Sequence, residues 1–483
     1  MRRLRLLTSG ESHGPGMSGI LEGLPAGLRI STRRVDRDLA RRQHGYGSGR
    51  RMLIERDRVE WTAGLRFGRT LGSPLAFSIP NRDWENWRDR MAVEAGGSAK
   101  RPKPVTLARP GHADLAGAIK YDTGDIRDVL ERASARSTTP RVCAGAVCRQ
   151  LLAEAGVRIW SFVDQLGPIR AFPHAEDPLT EIPVDWWRQD LARPTPLRCP
   201  DPAAEEKMQA EIDAVSAAGD SIGGSFVVVV EGLPIGLGSS AEWDTRVDSA
   251  LAGAMMGIQA VKGVEIGMGF GVVSRRGSQV HDEVDASAGE GWGRRTNRAG
   301  GVEGGMTNGE PVVVRAAVKP VATLRKPLDA VDLRTGEPGR AHIERSDVAI
   351  LPRAAVVGEA MVALVLADSL LTSFGPTRSA TCGQRSGGAE RDLGVRRPPT
   401  LRGPSERPCL STPGPGDRVL RLPGDDACCL RGLVAAAYVR PNGHRRDGGP
   451  RRRCEPSRRR GRGRQRHDSA QTDRGGARGR AVG

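Results

Sequence analysis

Two histidines sit in glycine-flanked polar turns, Gly10-Glu11-Ser12-His13-Gly14 and Arg109-Pro110-Gly111-His112-Ala113-Asp114. Such a turn lets backbone approach a ligand closely and leaves the imidazole exposed to exchange protons near neutral pH. For either histidine alone, a loop residue bonding its neighbours is the commoner outcome. A metal site is the weaker reading and none is expected, because no second His or Cys stands at ligand spacing. Arginines cluster in turn-rich sequence: Arg41, Arg42, Arg50 and Arg51 around Gly45-Tyr46-Gly47-Ser48-Gly49, then Arg132 and Arg136 around Ala133-Ser134-Ala135. Converging guanidinium forks suit a multiply anionic small molecule, although either cluster alone is more often a solvated basic face. The glycine-rich stretch 300–309 suits a phosphate or a flat cofactor ring. It lacks the spacing and following helix of a dinucleotide fingerprint, and 267–271 fails the same test.

Alternating α and β elements must position these residues. The valine run 226–231, bounded by Gly223-Gly224 and Gly232-Leu233-Pro234, predicts a buried strand, and 311–318 a second one. Helices are expected over 141–155, with Pro140 in the first turn behind a Thr138 or Thr139 cap, and over 246–262 behind Asp244. A long amphipathic helix is expected over 354–371, and 94–104 and 172–201 read as loop or insertion. There is no internal repeat.

The chain has 483 residues and a net charge of +17, but the charge is unevenly placed. Residues 376–483 hold 25 arginines, no lysine and 10 acidic residues, so 1–375 is left at only +2. Five of the 8 cysteines also lie in that tail, and Cys143, Cys148 and Cys199 do not make a disulfide framework. A reducing cytoplasm is the expected location. No stretch reaches the roughly 18 apolar residues of a membrane helix, and Thr8-Ser9-Gly10 interrupts any signal-peptide core, so membrane and secreted classes are excluded as first readings.

Taken in order, these segments resemble chorismate synthase from about Leu4 to Gly375. Beyond both histidine turns, the match includes Glu131-Arg132-Ala133-Ser134-Ala135-Arg136, Asp220-Ser221-Ile222-Gly223-Gly224, Gly232-Leu233-Pro234 and Val261-Lys262-Gly263-Val264-Glu265-Ile266-Gly267. His281-Asp282-Glu283, Thr296-Asn297 with 300–309, Lys319-Pro320 and Glu344-Arg345-Ser346-Asp347 continue it. The resemblance implies an α+β fold, a single β-α-β sandwich domain over 1–375, usually a homotetramer. It implies 1,4-anti-elimination of phosphate from 5-enolpyruvylshikimate 3-phosphate to give chorismate, with reduced FMN as an obligatory cofactor not consumed overall. His13 would give the leaving phosphate its proton, and His112 would control flavin protonation. The flavin would supply electron density, its N5 removing the C6 hydrogen. Arg42, Arg51 and Arg136 match substrate-anion positions. Arg132, Ala133, Ser134, Gln259, Ala260, Gly304, Lys319, Pro320, Val321, Ala322, Thr323 and Arg345 match positions that hold FMN.

Some positions depart from the family. Ser48 stands where relatives often carry an Arg, which weakens the expectation of NADPH as an upstream reductant bound there. Ser137 and Pro140 replace the usual Glu and Ala. After Phe374-Gly375 the family continues with Gly and then an Asp that assists flavin N5, whereas this chain has Pro376 and Thr377. The basic tail, with 430–439 its one apolar patch, is expected to be disordered. It is also expected to be a frameshift product. Spelled with GC-favouring codons and read from the third base, 376–388 becomes Asp-Ala-Leu-Gly-Asp-Val-Arg-Ala-Ala-Ile-Arg-Arg, restoring an Asp after Phe-Gly and one interrupted codon. Two rival readings follow: a catalytically impaired FMN-binding relative, and a nucleic-acid binder acting through the tail. A near-neutral body argues against the second.

Overall fold

Valines at 226–231 face two ways, and the two faces meet different partners. In the computed structural model, strand Gly224–Glu231 is the middle of a five-stranded antiparallel sheet. The order across it is Val261–Ile266, Val312–Val318, Gly224–Glu231, Arg158–Leu166 and Ile169–Arg170. The structure describes residues 4–47, 56–94, 103–173, 179, 181–183, 185–285, 293–344 and 347–374. Ser48, Arg50, Arg51, Arg345, most of 94–104 and the whole tail from Gly375 lie outside the described residues.

On the inner face, Phe226, Val228 and Val230 pack beneath helix Leu351–Phe374. A Cβ on Gly358 would lie 2.5 Å from the Phe226 ring, so only glycine lets the helix seat this closely. This helix packs in turn on Thr139–Glu154, where Gly145 faces Ala360 with no room for a Cβ. Beyond them lies a four-stranded antiparallel sheet ordered Arg5–Ser9, Gly16–Glu22, Leu75–Pro80, Glu60–Ala63. Its strands alternate buried and exposed residues, as expected of a sheet covered on one side. Helix Thr32–Gln43 joins the helical layer, and one apolar core runs through both sheets. The α+β sandwich is therefore present.

Four local expectations need correction. Helix 246–262 is shorter, Val247–Met256, with Arg246 rather than Asp244 at its N-cap. Gly257 ends it and Ala260, at φ 68°, turns the chain into strand Val261–Ile266. Pro140 does lie in the first turn of Thr139–Glu154 behind Thr138 as N-cap, but the Thr138 hydroxyl donates to Ala135 O at 2.6 Å and makes no capping hydrogen bond. Segment 172–201 carries a helix, Trp186–Ala192, because the outer valines Val227 and Val229 need a cover; Trp186 and Ile182 pack there with Trp160 and Phe162. Finally, Leu351–Ser373 is long and apolar enough to cross a membrane, with a mean hydropathy of 1.9. It is 72% buried inside the protein, and Glu359 at its middle meets three arginines, which makes it a core helix here.

Candidate active site

Gly10 lets the first strand turn back: at φ 102° a Cβ there would meet Gly16 O at 2.3 Å. The turn delivers His13 to helix Arg127–Ala133. Its backbone N–H donates to Glu131 Oε2 at 2.8 Å, and its Nδ1 lies 2.9 Å from both carboxylate oxygens. Trp87 stacks on the imidazole at 3.7 Å between centroids. His13 is consequently only 7% exposed, which corrects the expectation of an exposed ring: the turn is open, but Trp87 and Glu131 close it. Arg127 Nη1 donates to Glu131 at 2.8 Å and Nη2 to Glu344 at 3.2 Å, while His342 Nε2 is 3.3 Å from Glu344. Burial pushes the Glu344 carboxyl up, but the His342 hydrogen bond and the Arg127 charge outweigh it and hold the group at about 2.

The turn after helix Arg127–Ala133 carries one of two anion-binding candidates. Arg42, near the end of helix Thr32–Gln43, and Arg136, in the single turn Ala135–Thr138, are both buried and share one buried carboxylate. Asp57 lies 2.9 Å from Arg42 and 3.3 Å from Arg136. Two guanidiniums on one carboxylate leave a net positive charge, which an anionic ligand can neutralise. Nε of Arg42 has no partner among the described residues. Arg132 is turned differently: its guanidinium donates to Gly10 O at 3.0 Å, Thr8 O at 2.9 Å and the Thr8 hydroxyl at 2.7 Å. It ties the helix to the first strand. Ala133 is half-buried, and the Ser134 hydroxyl lies 3.1 Å from that of Ser12.

Gln259 Nε2 donates to Ser137 Oγ at 2.6 Å, and Lys319 N donates to Ala260 O at 2.9 Å. Lys319 Nζ reaches Gly111 O, so the His112 loop lies against 319–323. Val321 O accepts from the Ser221 hydroxyl, and Arg109 donates to the buried Thr323 hydroxyl at 2.9 Å. His112 Nδ1 is 2.5 Å from Asp114, whose carboxylate also takes two hydrogen bonds from the Arg109 guanidinium. Burial would raise the Asp114 carboxyl; hydrogen bonds from His112 and Arg109 instead hold it far below the usual range. In the same run Pro320 is exposed and Ala322 half-buried.

The two histidine turns, Arg42, Arg136 and segments 131–137, 259–260 and 319–323 are thus linked by one chain of contacts. Gly304 is not in this chain of contacts. It turns the hairpin Val302–Glu303 to Met306–Thr307, which bonds to Leu237 and Val247, and a Cβ on it would meet open space. A cavity of about 530 Å³ beside Ile266, His281, Asp282 and Arg298 contains neither His13 nor His112. Sequence reasoning missed the partners: Glu131, Asp114 and Arg109 lay inside recognised motifs without an assigned role. Asp57 and Trp87 carried no spacing signal at all.

Comparison with known proteins bears on the family and the fold. The family model for chorismate synthase matches residues 4–371. A chorismate synthase of Aquifex aeolicus (strain VF5) is 50% identical over 376 residues, covering 78% of this chain and 94% of that protein. One from Rubrobacter xylanophilus is 53% identical over 376 residues, 77% of this chain and 93% of that protein. A crystal structure of chorismate synthase superposes with a TM-score of 0.61 at 42% identity, over 78% of this chain and 93% of that one. Fold, motif order and overall identity converge on one conclusion: this chain belongs to the chorismate synthase family.

Proposed function

We propose that the protein converts 5-enolpyruvylshikimate 3-phosphate to chorismate by 1,4-anti-elimination, with reduced FMN. The observation that carries this is the single segment 131–136, which holds His13 through Glu131 and joins Arg136 to Arg42 through Asp57. A proton donor and a cationic pair brought to one segment from three elements suit departure of a phosphate from an anion. Breaking the allylic C–O bond puts negative charge on phosphate, which His13 protonates while Arg42 and Arg136 offset the charge. Arg51 and Arg345 are assigned to substrate and FMN by resemblance alone.

The residues present fit a flavin. Gln259 Oε1 is a buried acceptor with no partner among the described residues, which suits an N–H donor, and Gly304 leaves open space for close backbone approach. Arg132–Ser134, Gln259–Ala260, Gly304 and 319–323 would hold it, with His112 beside it. When bound and reduced, it supplies electron density to the departing phosphate. The test is an anaerobic incubation with dithionite-reduced FMN: chorismate forms with reduced flavin and not with oxidised flavin.

Arg136 and Arg132 separate substrate from cofactor. Arg136→Ala should raise the substrate KM strongly, whereas Arg132→Ala should mainly weaken FMN, read by flavin fluorescence titration. Identical profiles would contradict the division. NADPH is proposed only as an upstream reductant, and the cytoplasm as the location; Cys143, Cys148 and Cys199 are free. A homotetramer is proposed too. Leu7 and Ile20, paired across two strands, leave an apolar spot 53% and 45% exposed on the outer sheet face. Light scattering measures the assembly.

The family match ends at 371, and the Arg-rich residues beyond Gly375 are proposed to be read out of frame. The chain as written would then be weakly active or inactive. Sequencing the gene decides this: codons incompatible with the alternative frame contradict it, as does full activity in the 483-residue chain.

A further inference from the structure

His13 and His112 lie on different loops, yet both are built into the same three-part arrangement. In each, Nδ1 faces a carboxylate that is 1% exposed, and that carboxylate is held by an arginine of its own segment: His13–Glu131–Arg127 and His112–Asp114–Arg109. An ionised carboxylate only accepts hydrogen bonds, so each contact requires the imidazole proton to be on Nδ1. The point is sharpest at His112. Asp114 is held well below the carboxylate range, and at 2.5 Å two lone pairs would repel. Arg109 Nη2, 3.1 Å from the same Nδ1, therefore serves the carboxylate rather than the ring. Glu131 is equally committed, accepting from the His13 N–H at 2.8 Å, from Arg127 at 2.8 Å and from the ring.

We propose that Glu131 and Asp114 are positioning residues that lock both histidines in the same Nδ1–H tautomer, so that Nε2 is the nitrogen each presents to ligand. One nitrogen's hydrogen bond decides what the other can do. In both rings the neutral form then accepts a proton at Nε2, and the cation gives it up from Nε2. The electrons balance without any redox partner: a proton moves between Nε2 and an oxygen or nitrogen of the ligand. Arg109 and His112 keep the Asp114 carboxylate an acceptor, and at Glu131 the Arg127 and His13 N–H donors occupy its oxygens.

The kinetic part of this inference rests on the proposed catalytic use of the two imidazoles; the tautomers do not. Full-length protein labelled with nitrogen-15 histidine is titrated by NMR from pH 6 to 9. His13→Gln and His112→Gln assign the two rings. Both neutral rings should show a protonated Nδ1 and a bare Nε2. A neutral ring with its proton on Nε2, or a ring doubly protonated through pH 9, overturns the proposal. Glu131→Gln, which offers both a donor and an acceptor, should mix the tautomers of His13 and lower kcat on the order of 10²-fold, with FMN affinity within about twofold. Glu131→Asp should restore the single tautomer and part of kcat. If Glu131→Gln leaves kcat unchanged while His13→Gln abolishes it, the positioning role is wrong and the catalytic reading stands. If His13→Gln itself leaves kcat intact, the catalytic reading fails and the NMR result alone decides the tautomer.

Discussion

Alanine at His13 or at His112 is expected to lower kcat by roughly 10²–10⁴-fold, the usual worth of a positioned general acid or base. FMN affinity should change far less, because neither imidazole is among the groups assigned to hold the cofactor. The two substitutions differ in what they leave behind. Removing His13 takes away a ring stacked on Trp87 and frees one acceptor of Glu131, which still binds Arg127. Removing His112 leaves Asp114 with the Arg109 guanidinium, so that turn should keep its shape. Single-turnover assays with saturating reduced FMN read the chemical step directly. Turnover within a factor of two of the parent in either variant contradicts the assignment. The parent must be active, so restoring the C-terminus comes first if the chain as written is not.

The largest stability effect should come from Glu359. Its carboxylate is fully buried and accepts from Arg41 at 2.7 and 2.8 Å, Arg149 at 2.8 Å, Arg198 at 3.1 Å and the Ser161 hydroxyl at 2.7 Å. Asp38 and Asp190 supply the other two negative charges. Glu359→Ala therefore leaves one guanidinium uncompensated in the core, which should cost roughly 3–5 kcal/mol. Urea unfolding measures it, and a loss below about 1 kcal/mol contradicts the account. The acid dependence follows with a definite sign. Burial alone would raise the Glu359 carboxyl, but Arg41, Arg149 and Arg198 hold it well below its ordinary 4.5. A group depressed in the folded state contributes stability in full above its unfolded value, and that stability is lost as pH falls below 4.5. Glu359→Gln should be less stable at neutral pH and show a flatter slope below that point. Because Arg41 adjoins Arg42, the same network also fixes the end of the helix that carries a proposed substrate contact.

What could be read from residues alone depended on how local the determining physics is. The valine strand at 226–231 and the long helix around 354–371 announce themselves through hydrophobic pattern, and both form. The pattern fails where tertiary contact overrides it. Trp186 makes a helix in an apparent loop because bare valines on the sheet need a cover. The continuous periodicity of 246–262 breaks at Gly257 and Ala260, where backbone conformation rather than side-chain pattern decides. At the site, each histidine could be located by its turn, but not its burial. Trp87 is 74 residues from His13 in sequence, and no spacing rule connects them. Asp114, two residues after His112, is close enough in sequence to signal a local partner, although no role was assigned to it; Glu131, 118 residues after His13, carries no such signal.

The central claim is tested most directly by chorismate formation itself. Protein is mixed anaerobically with 5-enolpyruvylshikimate 3-phosphate and dithionite-reduced FMN, and chorismate and released phosphate are followed together. The account predicts one phosphate per chorismate, dependence on reduced flavin, and no net consumption of it. If the 483-residue chain is silent, the same measurement on the chain carrying the alternative reading after Gly375 is predicted to give product. Absence of chorismate from that restored chain, with FMN demonstrably bound, would contradict it.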